Sequence, residues 1–402
     1  MRGRRILTLL LLLSLLPLTG CWSRKELNDL ALVMALGIDL DPEGYAVTVQ
    51  VMNPSEAGNQ KGASSGSLPV ATYKSVGKTV PDALQRMLSL TPRMLYLSHI
   101  RVLVFGEALA RSGVSNALDY ISRDNQLRTD FYLLVAKNAK ASTVLEVITP
   151  FEHIPANSLY SSILVSHKKW AATGKVTLQQ FITELERGGS NPIMSGVQLQ
   201  GEAADAETTE NVRSISPKAL IEHAGIAVFK KDKLVGWLGE PLSKTVNYTL
   251  NNVDSTAGNV PDPNGGTAGF IVTRADTSMK IRLNEQDKPE FTVRLDIEAN
   301  LTTVEGTLDL NKPSSIVGIE KNLEKRFDDR FSSDIRMIQQ RYNSDIFGFG
   351  EALHRQYPHL WKEYREHWED SFKTVKVQVQ SHVVIRRIGS VIQPLRRELE
   401  EK

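Results

Sequence analysis

The chain has 402 residues, 41% of them hydrophobic and 23% charged, which is typical of a folded globular protein with two or three domains. Its 48 Lys and Arg residues nearly balance 46 Asp and Glu residues, so composition gives no electrostatic reason to bind nucleic acid or anionic lipid. The single Cys, Cys21, excludes an internal disulfide, so stability must come from the packed core.

The N-terminus has the pattern of a secretory signal peptide over residues 1–20. Arg2, Arg4 and Arg5 form a positive region, and residues 6–17 are mostly Leu. This apolar run is about a dozen residues long, too short for the roughly 20 residues of a membrane-spanning helix. A positive start followed by a short apolar run is typical of a signal peptide that is removed on export.

The signal peptide ends in Leu18, Thr19, Gly20 and Cys21, which resembles a bacterial lipobox. In a lipobox the Cys thiol is diacylglycerated and the chain is cut before it. We therefore expect Cys21 to begin the mature protein and to carry S-diacylglycerol and N-acyl groups, which together anchor it stably in a bilayer. The alternative is a free Cys after an ordinary signal peptide. Trp22 is expected either at the membrane interface, where indole rings concentrate, or packed on its own domain.

Residues 21–200 are predicted to form one mixed α/β domain or two subdomains, because strand and helix patterns alternate along them. The expected strands cover residues 32–40, 45–51, 71–76, 99–106 and 131–136. The expected helices are a short one containing Leu27, Leu30 and Ala31, and others over residues 79–90, 107–111, 114–123, 141–148, 158–172 and 178–187. Residues 53–68, rich in Ser, Gly and Asn, are predicted to be a loop.

A domain boundary is predicted between residues 188 and 218. Gly188 and Gly189 end a helix, and the segment that follows is acidic, polar and poor in large apolar residues. We therefore expect a linker over residues 201–217, a C-terminal domain over residues 218–392 and a charged tail over residues 393–402.

The C-terminal domain is predicted to be an antiparallel sheet covered by a long amphipathic helix, an α+β arrangement. The expected strands cover residues 224–230, 234–238, 270–273, 279–283, 291–303 and 375–385. The strand over residues 291–303 is expected to contain a bulge, because its apolar positions do not strictly alternate. Residues 251–268 have hardly a hydrophobic side chain and are predicted to be a loop.

Two helices are expected between the last two strands. From residue 315 the apolar positions follow a period of 3.6 for about 28 residues, which predicts one amphipathic helix. Its apolar stripe consists of Ile319, Leu323, Phe327, Phe331, Ile335, Ile338 and Tyr342. After a break at Gly348 and Gly350, a second helix is expected to carry Tyr357, Trp361, Tyr364 and Trp368 on one face. We expect both stripes to be core, and a binding face is the alternative for the aromatic one.

The histidines and paired glutamates show no recognisable catalytic or metal-binding pattern. His354, His359 and His367 are separated by five and eight residues, whereas two ligands on one helical face are four apart. Glu184 and Glu186 are two apart and therefore lie on different helix faces. We predict exposed side chains at these positions, with no catalytic residue, metal or cofactor.

The glycines of Phe347-Gly348-Phe349-Gly350 come nearest to a phosphate-binding loop. They lack the Lys-Ser/Thr pair that completes such a loop. We interpret the segment as a helix break whose two Phe rings pack into the core.

Six segments together resemble a known family. They are Cys21–Asp39, Ser98–Ala110, Arg128–Ala136, Gly225–Leu238, Asp345–Glu351 and Trp368–Phe372. Their order and spacing are similar to those of the spore germinant-receptor C-subunit lipoproteins, often written Ger(x)C. The resemblance implies a non-catalytic subunit, anchored to the outer face of the spore inner membrane, that associates with polytopic A and B subunits in nutrient-triggered germination. It leaves open whether this subunit binds the germinant.

Two other classes of protein remain as alternatives. A lipid-anchored extracellular solute-binding protein of a transporter would need two matched α/β lobes with parallel strands, and the second half of this chain does not show that pattern. A lipid-anchored hydrolase would need a convergent acid/base or metal set, and its turnover would be lost on substitution of His99, Glu184 and the C-terminal histidines.

Overall fold

The computed structural model describes residue 3 and residues 29–389, apart from residues 54–68, 153, 262–265 and 306–307. The described residues form two sheets with helices packed against them, which confirms the expected mixed, multi-domain fold class. The strands are β1 (Leu30–Asp41), β2 (Gly44–Met52), β3 (Val70–Gly77), β4 (Met94–Tyr96), β5 (Val102–Gly106), β6 (Tyr132–Ala136), β7 (Ile193–Gln200), β8 (Leu220–Lys230), β9 (Lys233–Leu238), β10 (Thr256–Pro261), β11 (Thr267–Leu283), β12 (Pro289–Val304) and β13 (Lys376–Arg387).

The α-helices vary in length from a single turn to more than eight turns. They are α1 (Val80–Met87), α2 (Glu107–Ser112), α3 (Ser115–Arg123), α4 (Ala141–Leu145), α5 (Pro155–Lys169), α6 (Leu178–Glu186), α7 (Ala203–Ala206), α8 (Thr209–Arg213), α9 (Glu240–Thr249), α10 (Pro313–Tyr342), α11 (Phe349–Gln356), α12 (Pro358–Tyr364) and α13 (Trp368–Phe372).

The larger sheet has the strand order β3-β2-β1-β5-β6-β7-β8-β9, and β4 pairs with the start of β1. Strands β1, β5, β6 and β7 are parallel, and antiparallel strands extend the sheet on both sides. Helices α1, α3 and α6 contribute to the core on one face, and α4 and α5 to the core on the other. Because both faces are covered, the parallel strands are almost continuously apolar.

The smaller sheet has the order β10-β11-β12-β13. Strands β10, β11 and β12 are antiparallel, but β13 runs parallel to β12, so the prediction of an antiparallel sheet is wrong for this last pair. It is also wrong for β8 and β9, which were expected in this sheet and belong to the larger one. The long connection through α10 to α13 returns the chain to the end of the sheet at which β12 began, as a parallel pair requires. Register shifts where β12 pairs with β11 confirm the expected irregularity of this strand.

The long helix is confirmed as α10, 30 residues long, and its predicted apolar stripe is buried or packed against the core of the smaller sheet. The aromatic residues are also confirmed as core: Trp361 and Trp368 are buried, and Tyr357 and Tyr364 pack against them. They do not share one helix, however. Pro358 begins α12, because Pro suits the first turn of a helix and interrupts its interior. Trp368 begins a further short helix, α13.

Two smaller predictions in the first half of the chain are wrong. Leu30 and Ala31 belong to β1 and not to a helix, because a central strand covered on both faces is apolar at consecutive positions and shows no clear period. Residues 97–99 form a short 3₁₀ turn, so the strand predicted from residue 99 begins only at Val102.

Two strands lie in segments that were expected to be irregular. Strand β10 lies within residues 251–268; it buries only Thr256 and Val260, too weak an alternation to detect. Strand β7 lies within the predicted boundary region and pairs with both β6 and β8. Residues 201–217 contain the short helices α7 and α8. The division into domains at these residues stays a prediction.

Candidate functional site

The predicted lipidation site, Leu18, Thr19, Gly20 and Cys21 with Trp22 beside it, lies outside the described residues. The described chain resumes at Asp29, directly before β1. None of the helices in residues 29–389 that the structure describes is long and apolar enough to cross a membrane.

The histidines and glutamates considered from the sequence do not converge. The ring of His354 lies 3.9 Å from the carboxylate of Glu351, while His359 and His367 are exposed on α12 and just before α13. Glu184 accepts hydrogen bonds from Arg187 and Ser190. Among the residues that the structure describes, no three His, Cys, Asp or Glu side chains are grouped to hold a metal ion.

The glycine segment surrounds a carboxylate of the chain itself. The N–H groups of Phe347, Gly348 and Phe349 donate to Oδ1 of Asp345 at 2.9 to 3.2 Å. The N–H of Gly350 and Nε1 of Trp368 donate to Oδ2 at 2.8 and 2.9 Å. Successive N–H groups around a left-handed residue, here Gly348 with φ 75°, form an anion-binding concavity. The resemblance to a phosphate loop therefore has a physical basis, but Asp345 supplies the anion.

Asp345 is completely enclosed by the protein. Asp345 is 2% exposed, and burial raises its pKa to about 6, although hydrogen bonds from Gly350, Trp368, Phe349 and Phe347 act in the opposite direction. Phe347 and Phe349 are also buried, as predicted for a helix break with core rings. Since every position around the carboxylate is filled by the chain, the arrangement fixes the start of α11 and offers no catalytic acid to a substrate.

The segment that contains Asp345 joins the two sheets. The N–H of Asn191 donates to the carbonyl of Asp345 at 2.7 Å, just before β7. Ser344 donates to the carbonyl of Phe229 in β8 at 2.5 Å, and the Tyr342 hydroxyl donates to the carbonyl of Trp237 in β9 at 2.7 Å. These bonds fix the end of α10 against the larger sheet.

A second group of polar side chains lies at the carboxyl ends of β1, β5 and β6, the usual ligand-binding edge of a parallel sheet. Asp39 accepts hydrogen bonds from the N–H groups of Ala141 and Ser142 at 2.7 and 3.1 Å, at the start of α4. Burial raises the pKa of Asp39, against these two bonds. A Cβ on Gly106 would lie 2.0 Å from Oδ1 of Asp39, so the neighbouring strand leaves no room for a ligand there.

Glu107, which follows β5, holds the same edge together. Its carboxylate accepts hydrogen bonds from the N–H of Asn138 at 2.6 Å, from Trp237 Nε1 at 3.2 Å and from Arg111. Burial acts to raise the pKa of Glu107, but these donors outweigh it and lower the pKa. This edge is therefore a structural junction between β5, β6 and β9.

An open cavity of about 200 Å³ lies between α9, β10 and α10. Tyr248, Phe270, Phe327 and Phe331 form its apolar walls, and the Tyr248 ring lies 5.2 and 5.7 Å from the rings of Phe331 and Phe327. The Tyr248 hydroxyl is buried without a hydrogen-bond partner in the part of the chain that the structure describes, and burial raises its pKa.

The charged side chains of the cavity are mostly cationic: Lys244, Arg326 and Arg330, with Glu240 as the acidic member. Lys244 pairs with Glu240 at 3.1 Å and Arg330 with Asp334 at 3.5 Å. Arg326 forms no ion pair with any described residue. Apolar walls with an unpaired guanidinium suit a small ligand that has an apolar body and one anionic group.

Sequence reasoning did not find Asp345, Asp39 or Tyr248 as important residues. Asp345 had a local signal, an acidic residue followed by turn glycines before a helix. Asp39 had none, because its partners are more than 100 positions away. Tyr248 was not part of any predicted element, so its place in an aromatic wall could not be expected.

Comparison with known proteins places these features in a family. Residues 23–199 match the family model described as "Spore germination protein N-terminal domain", and residues 224–389 match "Spore germination B3/ GerAC like, C-terminal". The chain is 28% identical to "Spore germination protein KC" and 24% identical to "Spore germination protein B3", both of Bacillus subtilis (strain 168). These alignments cover 98% of both chains for the first, and 94% of this chain and 96% of the relative for the second.

A solved structure has the same fold. The chain described as "Crystal Structure of the GerBC protein" superposes with a TM-score of 0.56 at 19% identity, covering 87% of this chain and 96% of that one. The protein therefore belongs to the GerAC-like, or Ger(x)C, family of spore germination proteins.

Proposed function

We propose that this chain is a lipid-anchored C subunit of a spore germinant receptor, a non-catalytic interaction component needed for nutrient-triggered germination. The observation that carries the proposal is the family match, which extends in order over both halves and begins two residues after Cys21. The signal peptide, residues 1–20, and the lipobox support the anchor. The enclosed carboxylates of Asp39 and Asp345 support a structural role for the acidic residues.

In this proposal Cys21 holds residues 21–200 and 218–392 on the outer leaflet of the spore inner membrane, beside polytopic A and B subunits. Anchoring to the same bilayer raises the effective concentration of the partners without any new contact. A germinant would be coupled to this subunit only if two states of the complex bound it with different affinity.

The test is a pull-down of the native protein from spore inner membranes, beside the variants Cys21→Ala and Ser23→Ala. We expect wild type and Ser23→Ala to remain in the membrane and to bring down two polytopic proteins. Cys21→Ala should leave the membrane fraction, and the spores should germinate poorly. Recovery of wild type alone contradicts the proposal, and recovery with an ATP-driven transporter favours the solute-binding alternative.

The cavity favours a second candidate function, the binding of a small organic anion. About 200 Å³ exceeds the roughly 150 Å³ of a cavity that accepts benzene, so a ring with a short acidic arm fits. The ligand class follows from the aromatic walls and from the unpaired guanidinium of Arg326.

This second function is tested with phenylacetate and its uncharged analogue phenylacetamide, using saturation-transfer NMR on the full chain in lipid nanodiscs with empty nanodiscs as the blank. We expect phenylacetate to bind more tightly than the amide, and Arg326→Gln to weaken phenylacetate binding up to about fivefold, since one exposed charge contact contributes at most about 1 kcal/mol. Lys321→Gln, an exposed charge on α10 away from the cavity, is the control. Absence of binding, or equal effects of the two variants, contradicts the assignment.

A further inference from the structure

Three large apolar side chains are exposed in the short turn that follows α1 and ends at Met94, the first residue of β4. Leu88 is 40% exposed, Leu90 57% and Met94 59%. The turn is ordered by its own backbone, because the N–H groups of Leu90 and Thr91 donate to the carbonyl of Met87 at 2.9 and 3.2 Å. Exposed apolar side chains that cluster in this way often mark a surface that contacts a membrane or another protein.

This apolar turn, residues 88–94, lies at the end of the larger sheet where β1 and β4 begin; we call this end the amino edge of the sheet. From β1 the chain leads back to Cys21. Met94 pairs with Leu30 in a parallel register, so β4 and β1 begin at the same edge. The described chain begins at Asp29, eight positions after Cys21, and eight residues span at most about 29 Å. An acylated Cys21 therefore keeps this edge near the bilayer surface.

We infer that the apolar turn is a membrane-contacting surface, which inserts Leu88, Leu90 and Met94 into the headgroup region of the bilayer that holds the Cys21 acyl chains. The inference rests on the proposed lipid anchor. Residues 88–94 contain no acidic side chain, and Arg93 in the turn extends a cation beside the apolar groups. Arg side chains at an interface place their stems on apolar groups and their charge among phosphates.

Contact at this edge would orient the whole molecule. The carboxyl ends of the parallel strands, where Asp39 and Glu107 lie, would face away from the bilayer. Ile215 provides an internal comparison because it too is apolar, and it is fully exposed. It lies five positions before β8, whose first residue, Leu220, pairs with Gln200 at the carboxyl end of β7. Ile215 is therefore at the edge opposite to the apolar turn.

The single Cys makes a direct test possible. In an acylated chain the Cys21 thiol is consumed, so a Cys introduced at one other position is the only site for a thiol-reactive fluorophore. We would label Leu90→Cys and Ile215→Cys in the full-length, membrane-extracted protein with an environment-sensitive dye. Each would then be reconstituted in phosphatidylcholine/phosphatidylglycerol vesicles containing doxyl-labelled lipid.

The expected result is a blue-shifted emission for the label at position 90, with quenching by doxyl lipid at least threefold stronger than for the label at position 215. Mass spectrometry first shows whether Cys21 is acylated. If it is, equal and weak quenching of both labels overturns this inference and leaves the proposed function standing. A wild-type chain that takes up dye at a free Cys21 overturns both, because the edge then has no tether.

Discussion

Two buried aspartates, Asp39 in the larger sheet and Asp345 beside the smaller one, both accept hydrogen bonds from N–H groups, but they differ in the number and the position of the donors. Each carboxylate lies in space at the start of a helix and accepts hydrogen bonds from N–H groups there. Asp39 receives two backbone N–H groups from α4. Asp345 receives four backbone N–H groups and one indole N–H. Burial raises the pKa of both carboxyl groups.

The difference lies in the distance along the chain over which the bonds act. Asp39 bonds to residues 102 and 103 positions away and joins segments that only the fold brings together. Four of the donors to Asp345 come from the next five residues, and only Trp368 is more distant. The local arrangement gathers more donors on one carboxylate, and we therefore expect the fold to depend on it more strongly.

The largest effect is expected from Asp345→Ala, compared with Asp39→Ala. Each buried N–H group left without an acceptor costs about 1–3 kcal/mol. Five donors lose their acceptor at position 345 and two at position 39, so we expect the free energy of unfolding to fall by about 5 kcal/mol or more for Asp345→Ala and by about 2–6 kcal/mol for Asp39→Ala. Chemical denaturation at pH 7 measures both. Equal losses would show that the number of donors does not decide the stability.

The next effect is a pH dependence that comes from Asp345. Its pKa is about 6 in the folded protein and near 3.8 in the unfolded chain, so between these values the folded state binds more protons. Stability from this group is therefore present in full below pH 3.8 and is lost as the pH rises through 6. Between pH 7 and pH 4.5 the folded state should gain about 2 kcal/mol from it.

Asp345→Asn isolates this effect, because it removes the titrating group and keeps an oxygen for the three N–H groups on Oδ1. The difference in unfolding free energy between wild type and this variant should grow in favour of wild type by about 2 kcal/mol on acidification from pH 7 to 4.5. If the difference in unfolding free energy stays constant or shrinks on acidification, the pKa of Asp345 is not raised, and the N–H donors outweigh burial in their effect on this pKa.

The comparison also shows how far the sequence predicts this fold. Helix α10 was predictable because its apolar residues keep a period of 3.6 over 30 residues, and the buried parallel strands were visible as apolar runs. The parallel pairing of β13 is not predictable, because period and composition do not tell at which end of the sheet the returning chain enters, and this end decides the direction of the strand. In strand β10, four of the six residues are small or polar, and the strand gives no pattern.

The hydrogen bonds of Asp345 can be predicted from the sequence, whereas those of Asp39 cannot. The donors of Asp345 are neighbours in sequence, so the group can be inferred from an Asp followed by Gly348 and Gly350. The contact of Asp39 with Ala141 depends on β1 and β5 lying side by side with α4 above them. A single sequence contains no information on that contact beyond a lone acidic residue at the end of an apolar strand.

A smaller effect is expected from Trp368→Phe, which keeps an aromatic ring in the core and removes one of the two donors on Oδ2 of Asp345. A hydrogen bond to a charged group contributes about 1.5–3 kcal/mol, and part of it remains because the N–H of Gly350 still donates. We expect a loss of about 1–2 kcal/mol and a further rise in the pKa of Asp345. Trp361→Phe is the control, since this buried indole lies 5.6 Å from Trp368 and gives no bond to Asp345. Equal losses would assign the effect to packing alone.

The smallest effect concerns the backbone that holds the N–H groups in place. Gly348 has a φ of 75° and open space where a Cβ would lie, so Gly348→Ala introduces backbone strain without a clash. That strain costs about 1 kcal/mol. Gly318, inside α10 and also with open space, is the matched control, because Ala there should stabilise the helix by about 0.5–1 kcal/mol. A lower midpoint of thermal unfolding for Gly348→Ala and a higher one for Gly318→Ala would show that the N–H groups around Asp345 require a left-handed residue at position 348. A higher midpoint for Gly348→Ala would show that the turn adapts and that the carboxylate alone organises it.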